Sequence, residues 1–175
     1  MDIILYTPGT CGNMVTAVID NTGYSFDGKH YECFVERKKL RNTYYQRTMT
    51  DEDRDNYIIE ITKKYKSLAS HQYKYHIDRG HQYILVVPST DEETQWSIHR
   101  FNNIHPHIAM NATNAPNYYN DFINAAKQHT NKIITLTDIW SGNLLNRLKE
   151  YVSTPLNEEV YYQWLAKEIN TKTVY

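Results

Sequence analysis

Short apolar runs and longer amphipathic stretches follow each other along the whole chain. A run of four to eight apolar residues between turn residues predicts a buried strand, and apolar positions that recur every three or four residues predict a helix. The clearest strand is 82–88, because Ile84 to Val87 are continuously apolar, as in central parallel strands. The predicted strands are 3–6, 31–35, 67–71, 82–88 and 132–137. The predicted helices are one ending near Asp20, 51–65, 89–103, 120–130, one from Asp138 to the break at Pro155, and a last one after Asn157.

This alternation predicts an α/β fold, a three-layer α/β/α arrangement with a mostly parallel sheet covered on both faces. A length of 175 residues suits one domain, 1–175. The segment 102–119, rich in Asn, His and Pro, is predicted to be the least structured part and is a candidate lid. In parallel sheets of this kind, ligands bind beyond the carboxyl ends of the strands.

Composition narrows the function classes. The net charge is −1, so no basic face for nucleic acid is expected. Two cysteines are too few for a disulfide framework, the chain opens with no charged and apolar leader, and no apolar run approaches the ~20 residues of a membrane span. These features predict a soluble, cytoplasmic protein without a membrane partner.

The loop between the first strand and the first helix is the main candidate for an anion site. It reads Thr-Pro-Gly-Thr-Cys-Gly-Asn, residues 7–13. The first N–H groups of a helix lack partners inside the helix and their dipole favours an anion, so a phosphate or sulfate is a suitable ligand. Gly9 and Gly12 match neither Gly-x4-Gly-Lys-Ser/Thr nor Gly-x-Gly-x-x-Gly. A plain strand-to-helix turn that needs glycine for its backbone remains the alternative.

Two further segments are predicted to meet this loop at the same edge of the sheet. His71 ends the strand 67–71, and Ser89 follows the strand 82–88. Ser89 and Thr90 also form overlapping capping boxes with Glu92 and Glu93. On the helix that follows, Ser97 shares a face with apolar residues, which places a serine toward the sheet.

The order of these features resembles the P-loop sulfotransferase family over nearly the whole chain. That family has a Thr-x-x-Lys-Ser-Gly-Thr-type loop that holds the 5′-phosphosulfate of the donor PAPS, and Thr7 and Gly12 match it at the family's spacing. Its next core strand ends in Lys-Thr-His, and Ala-Ser-His at 69–71 stands in that position. The resemblance implies that His71 is the catalytic base.

The later motifs resemble the family in the same order. Its next strand ends in an Arg-x-Pro turn, with a serine eight residues after the arginine that helps to grip the donor's 3′-phosphate. Ser89 stands at the arginine position, and Ser97 follows eight residues later. The family's strand into Tyr-Glu-Asp-Leu resembles Leu-Thr-Asp-Ile-Trp at 136–140. The donor-binding residues implied by the resemblance, with one substitute cation, are Thr7, Gly9, Thr10, Cys11, Gly12, Asn13, Met14, Ser89, Ser97 and Arg100.

The chain departs from the family at both fixed charges. Thr10 replaces the loop lysine and Ser89 replaces the arginine, and the later Arg-Lys-Gly stretch has no match. Charge-assisted contacts to phosphate are roughly twice as strong as neutral ones, so a substitute cation is needed. We expect it to be Arg100, one turn beyond Ser97, or the basic run at 36–41, whose alternative reading is a solvated face.

The sequence is therefore consistent with three functions. The first is transfer of a sulfuryl group from PAPS to a hydroxyl or amine. The second is a catalytically inactive domain of the same fold that binds or assembles with a protein partner or with its own copies, which the Asn- and Tyr-rich composition would suit in a small virus-encoded version. The third is a nucleotide or nucleoside kinase, disfavoured because the loop lacks lysine and no paired acids are placed for magnesium.

A metal site and a covalent nucleophile are not predicted. His99, His105 and His107 lack the compact spacing that zinc sites use. Cys11 would have its thiolate favoured by a helix N-terminus, but no His-Asp partnership accompanies it.

Overall fold

The computed structural model describes residues 1–23, 32–44, 50–104 and 115–172. These residues form four strands and nine helices. The strands are β1 (Asp2–Tyr6), β2 (Ser67–Ser70), β3 (Tyr83–Val87) and β4 (Ile133–Thr135). The helices are α1 (Gly12–Asp20), α2 (Glu32–Tyr44), α3 (Asp51–Thr62), α4 (Tyr73–Asp78), α5 (Asp91–Ile104), α6 (Ala115–Lys127), α7 (Leu136–Trp140), α8 (Leu144–Tyr151) and α9 (Glu158–Lys172).

The strands form one parallel sheet in the order β2-β1-β3-β4, which confirms an α/β fold with a parallel sheet. β1 pairs with β3, with Ile3 opposite Tyr83, and β3 pairs with β4, with Leu85 opposite Ile133. Because β1 lies between β2 and β3, the segments that follow these three strands leave the sheet side by side at its carboxyl edge.

The chain divides into two compact units. The first contains Met1–Asp2, Asn13–Leu68 and Ser153–Tyr175, and the second contains Ile3–Gly12 and Ala69–Val152. In the first unit, the Asp20 carboxylate accepts hydrogen bonds from the backbone N–H groups of Lys66 and Ser67, both at 2.8 Å. Glu36 of α2 pairs with Lys64 and Tyr65, which follow α3.

The second unit has a core between the sheet and α6. Alternate strand residues face this helix, as the two-residue period of a strand requires. The cluster contains Ile3, Leu5, Tyr83, Leu85 and Val87 of the strands and Phe122 and Ala126 of α6. The intervening residues Ile4, Ile84 and Val86 are also buried, so the strands are apolar on both faces.

Two predicted strands are wrong or misplaced. The predicted strand 31–35 overlaps α2, because Glu, Arg, Lys and Leu are strong helix formers that outweigh a short apolar run. The predicted strand 132–137 ends at Thr135, and α7 begins before Asp138. The reason is a capping box, in which Thr135 Oγ1 accepts from Asp138 N–H and the Asp138 carboxylate accepts from Thr135 N–H.

The other differences concern helices. The helix predicted from Asp138 to Pro155 is two helices, because Gly142 adopts φ +86° between α7 and α8. The segment 102–119 is more helical than predicted, since α5 continues to Ile104 and α6 begins at Ala115. The rest of the candidate lid, 105–114, lies outside the described residues and includes His105 and His107. The short helix α4 was not predicted.

No helix among the described residues combines the length and the apolar character needed to cross a bilayer.

Candidate functional site

The loop after β1 packs tightly against its neighbours in the second unit. Thr10 is fully buried, and its Oγ1 donates to the Thr7 carbonyl at 2.6 Å and lies 3.3 Å from the Val86 carbonyl of β3. The Thr10 N–H also bonds to the Thr7 carbonyl, at 3.2 Å. The residue at the position of the family's lysine therefore fastens the loop to the sheet.

Both glycines of the loop are required by close packing. Gly9 adopts φ +82°, and a Cβ there would lie 2.1 Å from the Ser97 carbonyl oxygen of α5. A Cβ on Gly12 would lie 2.2 Å from Cγ of the Tyr6 ring. Cys11 is buried with φ +65°, and its Sγ lies 3.9 Å from the Gly9 carbonyl. The loop conformation is thus set by α5 on one side and by Tyr6 on the other.

A guanidinium group reaches this loop from α5. Arg100 Nη1 donates to the Gly9 carbonyl at 3.2 Å, and the guanidinium lies over the Trp96 ring, 5.6 Å from its centre. A guanidinium stays charged and carries five N–H donors in a planar fork, which suits it to bind an anion. The structure therefore brings Arg100 to the loop that lacks a lysine.

His71 is held beside the loop by Tyr6. Its Nδ1 lies 2.7 Å from the Tyr6 carbonyl, and the two rings are 3.9 Å apart at 45°. Because a carbonyl only accepts, the proton lies on Nδ1, and in the neutral ring Nε2 then carries the lone pair. This is the tautomer that a general base acting through Nε2 requires.

Ser97 is fully buried and packs against the loop through its backbone. Its Oγ donates to the Glu93 carbonyl one turn earlier, at 2.9 Å. The Ser97 hydroxyl is therefore directed along its own helix, and the contact of this residue with the loop is made by its carbonyl at Gly9.

Ser89 belongs to a different cluster. Its N–H and Oγ donate to Glu93 Oε2 at 2.5 and 2.8 Å, and Thr137 Oγ1 donates to Glu93 Oε1 at 2.6 Å. The predicted box of Thr90 with Glu93 is half formed, since Thr90 Oγ1 accepts from Glu93 N–H, while the carboxylate turns to Ser89. Ser89 thus lies beside a carboxylate that is only 5 % exposed.

The remaining predicted residues, Asn13, Met14 and the 36–41 run, belong to the first unit. Asn13 is half-buried, its carbonyl accepts from Thr16 Oγ1, and Met14 is buried. In the 36–41 run, Lys38 and Lys39 are exposed on α2. His99 Nε2 lies 2.9 Å from the Asn103 amide nitrogen. Among the described residues, no group of three potential ligands is arranged to hold a metal ion.

Sequence reasoning missed three contributors. Tyr6 closes β1 and touches both Gly12 and His71, and Tyr119 of α6 donates its hydroxyl to the Pro8 carbonyl. Burial raises the pKa of the Tyr119 hydroxyl well above its usual range, so this group stays a donor. The sequence pattern indicated Glu93 as a capping residue, but nothing in it showed that the carboxylate would be buried.

The residues fit one anionic group better than two. At the loop, Arg100 supplies positive charge beside Gly9. At Ser89, where the family grips a second phosphate, the Glu93 carboxylate would repel one.

Comparison with protein families, with curated proteins and with solved structures found no match for this chain.

Proposed function

We propose that this chain is a sulfotransferase-like domain with the three-layer P-loop architecture, and that it binds an anionic nucleotide headgroup at the loop 7–12. The observation that carries the proposal is the contact of Arg100 Nη1 with the Gly9 carbonyl. This contact brings a positive charge to the loop, in which Thr10 stands where the family has a lysine. The buried thiols of Cys11 and Cys33 suit a cytoplasmic setting, where cysteines stay reduced.

The chemistry we propose is sulfuryl transfer to a hydroxyl or amine. PAPS would supply the sulfuryl group when bound. Arg100 would neutralise charge on the anion, and a positioned cation facing developing negative charge is among the largest contributions to catalysis. His71 would take the acceptor proton at Nε2, because its Nδ1–H is committed to the Tyr6 carbonyl.

Ligand-induced stabilisation tests this proposal. A ligand at a hundred times its dissociation constant adds about 2.7 kcal/mol. For a chain of this size that corresponds to a rise in melting temperature of about 5–10 °C. We expect adenosine 3′,5′-bisphosphate to give a rise of this order at millimolar concentration, and ATP with magnesium to give none.

Arg100→Ala distinguishes binding of the anion at the proposed site from non-specific attraction by positive charge elsewhere on the protein. Hydrogen bonds to charged groups contribute about 1.5–3 kcal/mol, so the dissociation constant should rise roughly tenfold to a hundredfold, and Arg100→Lys should recover part of it. Lys127→Ala is the matched control. It removes one positive charge from the end of α6 next to Ala126, whose carbonyl bonds to Tyr83 at the amino end of β3. Equal effects of the two alanine variants would contradict the proposal.

A second function is favoured by the buried Glu93. A carboxylate in place of the family's arginine disfavours the 3′-phosphate of PAPS, as expected for a domain that keeps the fold and binds an anion without transfer. The two functions differ in turnover. The transferase releases adenosine 3′,5′-bisphosphate from PAPS when phenol, amine and sugar acceptors are offered, and His71→Ala stops the release without abolishing binding. The binding domain shows a thermal shift without turnover, and adenosine 5′-phosphate, which lacks the 3′-phosphate, should shift it at least as much as the bisphosphate.

A further inference from the structure

A chain of three polar side chains lies beside the site described above but shares no residue with it. Ser70 is the last residue of β2, His76 lies on α4, and His81 follows α4. Ser70 Oγ lies 2.9 Å from His76 Nε2, and His76 Nδ1 lies 3.0 Å from His81 Nδ1. A hydroxyl, a base in contact with it and a third group behind the base form the general arrangement of an activated nucleophile.

The hydrogen bonds that link Ser70, His76 and His81 can all be oriented in the same sense. The Gln72 N–H donates to Ser70 Oγ at 3.1 Å, which occupies a lone pair of the oxygen and leaves the hydroxyl proton for His76 Nε2. One proton lies between the two Nδ1 atoms, since two lone pairs or two N–H groups would repel each other at 3.0 Å. When that proton is on His76, its Nε2 is the acceptor, which is the state of a general base.

Packing fixes the base and leaves the nucleophile accessible. His76 is 1 % exposed, and its ring contacts the rings of Tyr75 and His81, with centres 5.0 and 5.3 Å away. The His81 N–H also bonds to the His76 carbonyl, which ties the third group to the base through the backbone. Ser70 is half-buried and lies at the carboxyl end of a parallel strand, the edge at which substrates bind.

We propose that Ser70 is a nucleophile for carboxylic esters, with His76 as its base and His81 as a positioning residue. Ser70 Oγ attacks the carbonyl carbon, the new Oγ–C bond replaces the bond to the leaving alkoxide, and the hydroxyl proton moves to His76 Nε2 and then to the alkoxide. Water then hydrolyses the acyl-serine, its oxygen leaves in the carboxylic acid, and one of its protons returns through His76 to Ser70. No metal, cofactor or redox partner is needed.

Labelling of the full chain with a fluorophosphonate tests this. Ser70 Oγ forms a bond to phosphorus, fluoride leaves, and the proton goes to His76. We expect a single adduct on the tryptic peptide 67–74, and fragmentation distinguishes Ser70 from the buried Ser67. Ser70→Ala should remove the label, while Ser141→Ala, which changes an exposed serine bonded to the Asp138 carbonyl, should keep it.

The two histidines are tested separately. His76→Asn should slow labelling at least about a hundredfold, the lower range for a general base. His81→Leu should slow it as well, and His81→Asn should restore it, because the amide oxygen can accept a hydrogen bond from His76 Nδ1–H. A purely structural role for His81 would not produce this rescue.

The proposal is overturned if the wild type is labelled no faster than Ser70→Ala, or if folded His76→Asn retains the wild-type rate. If His76→Asn does not fold, the comparison of the wild type with Ser70→Ala decides alone. This outcome is independent of the nucleotide proposal, because labelling requires no bisphosphate and the bisphosphate shift requires no Ser70.

Discussion

Replacing Gly9 with alanine tests whether α5 and the loop after β1 are as closely packed as described. Two costs are expected. A left-handed backbone costs an L-residue about 1–2 kcal/mol, and the new Cβ would lie 2.1 Å from the Ser97 carbonyl oxygen. Overpacking typically costs a further 1–3 kcal/mol, since neither the loop nor the helix backbone can yield cheaply. The total loss in the free energy of unfolding should be about 2–5 kcal/mol.

A second glycine separates the two costs. Gly142 has φ +86°, close to the +82° of Gly9, but apart from its own chain neighbours no atom of the described residues lies within 4 Å of the position that a Cβ would take there. Gly142→Ala should therefore lose only the backbone part, about 1–2 kcal/mol. The difference between the two variants measures the contact of the loop with Ser97.

Urea unfolding followed by circular dichroism gives both values. Each kcal/mol also corresponds to about 2–4 °C in melting temperature for a chain of this length. If Gly9→Ala is no more destabilising than Gly142→Ala, the close approach of Gly9 to α5 is refuted, and with it the placing of Arg100 at the loop.

Two further substitutions test the packing and capping of the second unit. Tyr119→Phe leaves the Pro8 carbonyl without its donor in a buried place and should cost about 1–3 kcal/mol in urea unfolding, whereas Tyr118→Phe, on an exposed neighbour, should cost little. Burial raises the pKa of Asp138, but bonds from Thr135 and Asn143 and the nearby Arg147 outweigh it, so the pKa is lowered below 3.8. The stability that Asp138 contributes is therefore fully present above about pH 4 and is lost as the pH falls through the lowered pKa. Asp138→Asn should lower the free energy of unfolding by about 1 kcal/mol at pH 7. It should also make the free energy of unfolding fall less steeply below about pH 4, and an unchanged pH dependence would contradict the capping role.

The sheet was predictable because its strands carry strong local signals. Residues 84–87 form a continuous apolar run that ends at a proline, and all four observed strands fall within or beside predicted ones. The error at 31–35 arose where five residues of mixed character gave little periodic signal against strong helix propensity. At Thr135 the strand residues continue into a helix, and only the reciprocal bonds with Asp138 decide the boundary.

The site was predictable only in part, because its contacts depend on how helices pack. That Arg100 lies one turn beyond Ser97 was evident from spacing, but its contact with Gly9 depends on the missing side chain at Gly9, which lets α5 approach the loop. The burial of Glu93 depends on Ser89 and Thr137, which are 48 residues apart. Ser70, His76 and His81 have no periodic spacing, so the meeting of their side chains was not visible in the sequence.

Tyr6 has a consequence for how a ligand at the loop would be sensed. Its ring lies against Gly12, and its ring and carbonyl both contact His71. Under the proposed function, a displacement of the loop on binding would reach the imidazole through this one residue. The position of the loop and the orientation of the imidazole are thus coupled through Tyr6, and a larger residue at position 12 would disturb both at once.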